Sequence, residues 1–411
     1  MKPEAIISRE LGKFATRLKT ADGRLFTGLR RSRFTLVILL SAIAIFQLHS
    51  LPGSLSIGTL DAALILQPRT RPQKVRLVVI DDKDYATWFQ GESPLDPKPL
   101  GQIITAIWKG QPSLIVVDLD TGHQKFRNLA VPPQARIVWA VDFETTREGR
   151  ITMQAPLGGA SMPSIWSSAV AAFPNDQRGV IRGYRRQFAG ENGMPQPSVA
   201  WDVAQRLRGA DPQARVQASQ NERLLDFRCE FPVQKTSSAD PLSLSNILEH
   251  ADEEGWPRGL LHDKVVVLGG AYRAARDDYA TPVGVLYGSQ IIAQAVEAEI
   301  TNTSIPPASR WAVGFIELLA GLLLILIHHK LGLRSAFWLS LILIPVISIA
   351  ASLILFHRLA GWIAVIPVLA AVLVAELYAK AADLLIVLKT WGVIAEQESA
   401  SKSESAGQPQ D

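Results

Sequence analysis

Four apolar runs constrain this chain more than any other feature of its sequence. They cover residues 34–51, 311–327, 335–356 and 361–378. Each has 17–22 residues, and a helix of about that length crosses a hydrocarbon core of about 30 Å. A soluble core does not accommodate the last three runs, because they fall within 68 residues and are separated by hinges of seven and four. The sequence therefore predicts four transmembrane helices.

The first run has a second interpretation, a cleaved signal peptide, because Gln47 and His49 lie near its end. Two features argue against cleavage. The 33 residues before the run are too many for a signal-peptide N-region, and no small-x-small site follows at Leu51-Pro52-Gly53. The sequence therefore predicts an uncleaved anchor.

The distribution of charge sets the orientation. The net charge of the chain is +4, but residues 1–33 alone carry +6 and residues 52–309 carry −2. A nucleic-acid binder would carry its basic residues on the folded domain, so nucleic acid is not an expected partner. A basic arm before an apolar run is typical of a cytoplasmic N-terminus. We therefore expect a membrane protein with both termini cytoplasmic and residues 52–310 outside the cytoplasm.

Cysteine usage adds one constraint. Cys229 is the sole cysteine of the sequence, so no internal disulfide forms, and no Cys/His zinc pattern exists. We expect no metal and no cofactor. We also expect the domain outside the cytoplasm to be held together by its apolar core.

The pattern of residues 52–310 is that of an α/β domain with a mixed or parallel sheet. The apolar run 75–80, a helix over 99–109 with the period of Ile103, Ile104 and Ile107, and the apolar run 114–117 predict a βαβ unit. Residues 136–141 and 263–268 predict further strands, the latter stopped by Gly269-Gly270. An amphipathic helix is expected over 288–299, and loops with short elements over 150–240.

Two stretches carry a family resemblance. VRLVVIDDKDY followed by LIVVDLD resembles the opening of a CHASE2 sensory domain. LLHDKVVVLGGAYRAARDDYATPVG followed by YGSQIIAQAVEAEIT resembles its end. The positions that match the family pattern at that end are Lys264, Gly269, Asp277 or Asp278, Thr281-Pro282, Gly284, Gly288 and Ala293. Residues 88–99 depart from the family, which usually has a Trp-Pro-Arg type segment there.

The resemblance implies a sensor of the bacterial inner membrane, with residues 52–310 in the periplasm and an unidentified extracytoplasmic ligand. Such domains commonly precede a cyclase or kinase domain, whereas 33 residues follow Tyr378 in this sequence. We therefore expect the output to be a separate cytoplasmic protein. Residues 379–395 continue the last span either as a coiled-coil-like seam, which would suit a homodimer, or as an interfacial amphipathic helix. Residues 396–411 are polar and expected to be disordered.

Aspartates occur where the predicted strands end. In open parallel sheets, ligands bind just beyond the carboxyl ends of the strands. The competing interpretation is that Asp occurs there for local backbone hydrogen bonds. We take six aspartates as candidate ligand-binding residues: Asp81, Asp82, Asp118, Asp120, Asp277 and Asp278.

Two other functions stay open at this point. LIVVDLDTG is close to the Asp-x-Asp-x-Thr motif of haloacid-dehalogenase phosphohydrolases, with Asp118 as nucleophile, Asp120 as acid/base and Asp277-Asp278 as a magnesium motif. Its position after another βα unit argues against this, and the sequence assigns no catalytic residue. Gly269-Gly270 fits a turn better than a phosphate loop. The second alternative to a sensor is a structural membrane subunit.

Overall fold

The computed structural model describes residues 61, 64–65, 68–146, 149–175, 179–191, 193–232, 242–253 and 256–306. The predicted basic arm, the four predicted spans and the tail over 379–411 lie outside these residues. Among the described residues, no helix is both long and apolar enough to cross a membrane.

A parallel sheet of five strands forms the centre of the described part. It consists of β1 (Val75–Ile80), β2 (Leu114–Asp118), β3 (Ile137–Val141), β6 (Ser167–Val170) and β11 (Val265–Gly270), in the order β1-β11-β2-β3-β6. Every adjacent pair is parallel, with Val75 opposite Val265 and Val265 opposite Leu114. The strands are almost wholly apolar, as expected for a sheet covered on both faces.

Helices and short strands connect the strands of this sheet. Helix α1 (Asp82–Trp88) and helix α2 (Pro97–Lys109) connect β1 to β2. The middle of the chain holds short strands: β4 (Phe143–Thr145), β5 (Ile151–Met153), β7 (Gly183–Arg185), β8 (Gln187–Ala189), β9 (Pro195–Pro197) and β10 (Glu222–Leu224). Helices α3 (Val199–Leu207), α4 (Ala218–Asn221), α5 (Leu244–Glu249) and α6 (Trp256–Leu261) follow, then the hairpin β12 (Asp278–Thr281) and β13 (Gly284–Tyr287), and helix α7 (Gly288–Thr301).

Helices cover both faces of the sheet. On one face α2 packs with α5 and α6 over a core that includes Ile103, Ile115 and Trp139. On the other face α7 packs on β1 and β11, while α3 packs on β3 and β6. Residues of one strand alternate between faces. Ile115 and Val117 face α2. Asp118 directly follows Val117 in the strand, so it points to the opposite face of the sheet, the one that α7 covers.

The predicted βαβ unit is confirmed in its elements, but β11 lies between its two strands. The predicted stop at Gly269-Gly270 is wrong, because both glycines belong to β11 and pair with Val79 and Ile80. A strand stays in the ladder through two glycines here because its neighbours on both sides supply the hydrogen bonds.

The helix predicted as amphipathic is buried on all sides from Gly288 to Glu299. Its polar side chains find partners in the irregular segments around it. Gln290 donates to the carbonyl of Phe231 at 2.6 Å, and Gln294 donates to that of Cys229 at 3.2 Å. An amphipathic helix is expected to turn its polar side to solvent, whereas here backbone from elsewhere in the chain takes the place of water.

Candidate functional site

Two of the six candidate aspartates accept hydrogen bonds from backbone N–H groups, one of them local and one distant in the sequence. Asp81 caps α1 by accepting from the Asp84 N–H at 2.8 Å, and the Asp84 carboxylate accepts from the Asp81 N–H at 3.4 Å, which completes a capping box. Asp82 accepts from the Arg273 N–H at 2.8 Å. For Asp81 the structure therefore supports the local hydrogen-bond interpretation, and Asp82 fastens the segment that follows β11.

Two more lie at the surface. Asp120 is exposed and its Oδ1 accepts from the Gly122 N–H at 3.0 Å, closing a local turn. Asp278 is exposed and begins β12, where it pairs in register with Tyr287. Neither is positioned by a long-range hydrogen bond that the structure gives.

The charges of the remaining two, Asp118 and Asp277, act on each other and are joined by that of a third carboxylate, the exposed Asp142. We call these three residues the carboxylate cluster. Asp118 ends β2, Asp142 follows β3, and Asp277 lies just before β12. Burial raises the pKa of Asp118 well above its usual value, and the charges of Asp277 and Asp142 raise it further. Asp142 follows a predicted strand, so the same strand-end pattern could have identified it.

Asp277 sits against the start of α7. A side chain at Gly288 would place its Cβ 2.4 Å from the Asp277 Oδ2, so this contact requires glycine. Burial, together with the charges of Asp142 and Asp278, raises the pKa of Asp277 to about 6, although hydrogen bonds from Tyr279 and the Gly288 N–H oppose the shift. The carboxylate and the helix terminus are thus in direct contact.

Two polar atoms at this place lack partners. The Oδ2 of Asp118 has no solvent access and no hydrogen-bond partner, and the same holds for the Oγ of Ser289, a residue that is 0% exposed. Both lie near Gly269: a Cβ built there would be 3.0 Å from the Ser289 Oγ and 3.5 Å from the Asp118 Oδ2. Buried polar groups are nearly always paired, so each such exception calls for an explanation.

Aromatic rings cover the adjoining part of the sheet edge. Tyr85 and Tyr272 stack with ring centroids 4.3 Å apart and planes 8° apart. Tyr272 also lies on Gly270, where a Cβ would approach its ring to 2.9 Å. Burial raises the pKa of Tyr272 to about 12, with smaller contributions from Tyr85, Asp120 and Asp277. The segment 271–279, which we call the covering segment, therefore lies over the carboxyl ends of β1, β11 and β2.

The far end of α7 carries two buried carboxylates that sequence reasoning missed. Glu297 accepts from three successive backbone N–H groups at 2.8–3.2 Å, those of Gln73, Lys74 and Val75. Glu299 accepts from both Nε and Nη2 of Arg186 at 2.7 and 2.8 Å and from the Tyr184 hydroxyl at 2.7 Å. Acidic residues in a helix ordinarily indicate a solvated face, so no local pattern marked them.

These contacts fix α7 at both ends. Its first turn touches the carboxylate cluster, and its last turns are held by the start of β1 and by Arg186. Just after it, Leu224 donates to the carbonyl of Ile305 at 2.9 Å. The helix is 14 residues long, so it spans about 20 Å between these two ends.

The arrangement of these residues gives little support to a metal site or to phosphohydrolase chemistry. Among the described residues no group of three or more His, Cys, Asp or Glu side chains could hold a metal ion. The raised pKa of Asp118 favours its protonated form, which is a poor nucleophile. Asp120 is exposed and bonded to its own turn.

The comparisons with known proteins identify one family. The family model of the CHASE2 domain matches residues 35–328, about seven tenths of the sequence. No curated protein matches the chain. No solved structure matches it either.

Proposed function

The chain belongs to the CHASE2 domain family, whose members are extracytoplasmic sensory domains, and from that premise we propose that it is a membrane-bound sensor. Residues 52–310 form its periplasmic domain, and the four predicted spans anchor that domain in the bacterial inner membrane with both termini in the cytoplasm. The domain responds to an extracytoplasmic signal, and the response reaches a separate cytoplasmic protein.

The observation that carries the proposal is the path of α7. This helix begins at the carboxylate cluster, where Gly288 touches Asp277. It ends at Thr301, ten residues before the second predicted span begins at residue 311. A change at the ligand-binding edge of the sheet is therefore coupled by one buried helix to the segment that precedes the membrane.

A sensor of this kind needs two states of the domain that its ligand binds unequally. The fixed contacts of Glu297 and Glu299 define one of them. A change at Gly288 and Ser289 moves the helix against these contacts and so alters the strand-like contact between Leu224 and Ile305. A homodimer would pass the change through paired spans, and the seam predicted over 379–395 would present it to the cytoplasmic protein.

Reporter fusions test the membrane arrangement. Alkaline phosphatase fused at residue 200 should be active, and a fluorescent protein fused at residues 331 and 400 should be fluorescent, because the first position is periplasmic and the others cytoplasmic. A phosphatase fusion at residue 20, in the basic arm, serves as the inactive control. An inactive phosphatase fusion at residue 200, which would place that residue in the cytoplasm, would overturn the proposal.

A further inference from the structure

The edge of the central sheet where its strands begin is basic. We call it the starting edge, and the opposite edge, which carries the candidate aspartates, the aspartate edge. Lys74, Lys264 and Arg136 directly precede β1, β11 and β3. In the ladder, Val265 donates to the carbonyl of Lys74 at 2.9 Å, and Ile115 donates to that of Arg136 at 2.9 Å. Since neighbouring strands lie about 4.8 Å apart, these three residues form one row, which we call the basic row.

The side chains of the basic row keep their charge available. Lys74 and Arg136 are exposed, and the Lys264 ammonium donates to the carbonyl of Gln73 at 2.8 Å. In the part of the chain that the structure describes, none of the three side chains forms an ion pair. Arg71 adds a further exposed basic side chain just before β1. The starting edge therefore presents positive charge to whatever lies beyond it.

Few acidic side chains offset this charge. Asp263 is exposed beside Lys264 and is paired with His262 at 3.0 Å. Glu297 lies behind the row, is 3% exposed, and accepts from the Lys74 N–H at 3.0 Å. Apart from Asp263, no acidic residue occurs among the described residues that lead into β1, β2, β3 and β11, which are 71–74, 110–113, 132–136 and 262–264. The two edges of the sheet are thus opposite in charge.

Apolar side chains lie beside the basic row. Ile165 is 40% exposed and Trp166 is half-buried, and both directly precede β6 at the starting edge. The Trp166 indole donates to the carbonyl of Ala135 at 2.8 Å, which holds it next to Arg136. Basic side chains together with tryptophan and exposed aliphatic groups are typical of protein surfaces that lie among lipid headgroups.

The chain leaves the described domain from this edge. Helix α7 begins at the aspartate edge, where Gly288 touches Asp277, and its Glu297 binds the N–H groups at the start of β1. Ile305 follows, six residues before the second predicted span. Six extended residues reach about 20 Å at most. A predicted bilayer is therefore within reach of the starting edge.

We propose that the starting edge docks on the headgroups of anionic phospholipids, with the basic row on their phosphates and Ile165 and Trp166 at the interface. The charge pattern sets the direction, because a negative surface attracts the basic row and repels the aspartate edge. Each basic side chain near such a surface favours the docked state about fivefold. Docking holds the sheet against the bilayer, so a movement of α7 along the sheet reaches the second span instead of tilting the whole domain. That role in signalling rests on the proposed sensor function, whereas the docking rests on the predicted spans alone.

Energy transfer in lipid nanodiscs tests the docking on the full chain. Ser164→Cys places a donor dye at an exposed position of the starting edge, in a Cys229→Ser background, and a headgroup-labelled lipid carries the acceptor. Transfer should be higher in discs of phosphatidylcholine with phosphatidylglycerol than in phosphatidylcholine alone, and high salt should lower it. A dye at Glu92→Cys, exposed near the aspartate edge, should give low transfer in both.

Charge variants show whether the basic row is responsible. Changing Lys74, Arg136 and Lys264 together to Gln should lower the ratio of docked to undocked chains about 100-fold, which returns the transfer to its level in phosphatidylcholine. The matched control changes Lys83, Lys98 and Arg276 to Gln, which removes the same charge from exposed positions near the aspartate edge, and should keep the full rise. Arg136→Gln alone covers a failure of the triple variant to fold, and should lower the ratio about fivefold.

Three outcomes would overturn the proposal: equal transfer in the two lipid mixtures, a full rise in the Gln variants of the basic row, or loss of the rise in the control variant. The first of these would mean that the row serves a different acidic partner. Because the transfer does not depend on which side of the membrane the domain lies, an inactive phosphatase fusion at residue 200 would leave the docking standing and remove only its role in signalling.

Discussion

Replacing Glu297 should loosen the start of β1 more than any exposed substitution. The carboxylate accepts from the N–H groups of Gln73, Lys74 and Val75 at 2.8–3.2 Å, and the Val75 N–H is buried. Glu297→Ala removes the acceptor and leaves these donors without partners. The change therefore combines lost charge-assisted hydrogen bonds with the desolvation of a buried N–H.

The magnitude follows from the burial of each donor. A buried N–H that loses a charged acceptor costs about 2 kcal/mol, and the two partly buried donors, which water can reach, cost about 0.5–1 kcal/mol each. The total is about 3–4 kcal/mol, and since 1.4 kcal/mol corresponds to about a tenfold change, local opening should become roughly 100-fold to 1000-fold more frequent.

Hydrogen exchange over residues 73–80 of the full chain measures that change directly. The control is Glu92→Gln, which alters an exposed side chain and should leave protection of β1 unchanged. Glu297→Gln should fall between, because an amide keeps one acceptor oxygen. If Glu297→Ala changes protection by less than about threefold, the carboxylate does not stabilise the strand and the reasoning fails.

Three further results are expected. Gly288→Ala should destabilise the domain in urea unfolding because its Cβ meets Asp277, whereas Gly259→Ala, with open space around it, should stabilise it by about 0.5–1 kcal/mol; equal effects would contradict the proposed contact. Burial raises the pKa of Asp84 from 3.8 to about 6, so the stability from its protonation is present below about pH 4 and is lost as the pH rises through 6. Asp84→Asn should therefore stabilise the domain by about 1–2 kcal/mol near pH 7.5 and by nothing near pH 4, and a gain of equal size at both would refute this. Burial also raises the pKa of Cys229, so maleimide should label it more slowly at neutral pH in the folded domain than after unfolding, and equal rates would contradict this.

The sequence alone determined the local elements of the sheet. The run at 114–117 is apolar at every position and the run at 75–80 is apolar except for Arg76, a pattern typical of strands buried on both faces, and both runs are strands in the structure. It also marked Asp118 and Asp277, because aspartates after strands stand out by position. The four apolar runs and the charge bias predict the membrane arrangement from length and composition.

Only the tertiary structure decided which of these residues meet. β11 enters between β1 and β2 from about 150 residues away along the chain, and no local pattern specifies that neighbour. The insertion of β11 places Gly269 beside Asp118 and beside Ser289 of α7. The covering segment places Asp277 against Gly288. The amphipathic pattern of 288–299 did not mark Glu297 or Glu299, because a periodic pattern shows which residues are polar but not which partners they meet. Backbone N–H groups and Arg186, brought there by the fold, take the place of water and bury that side.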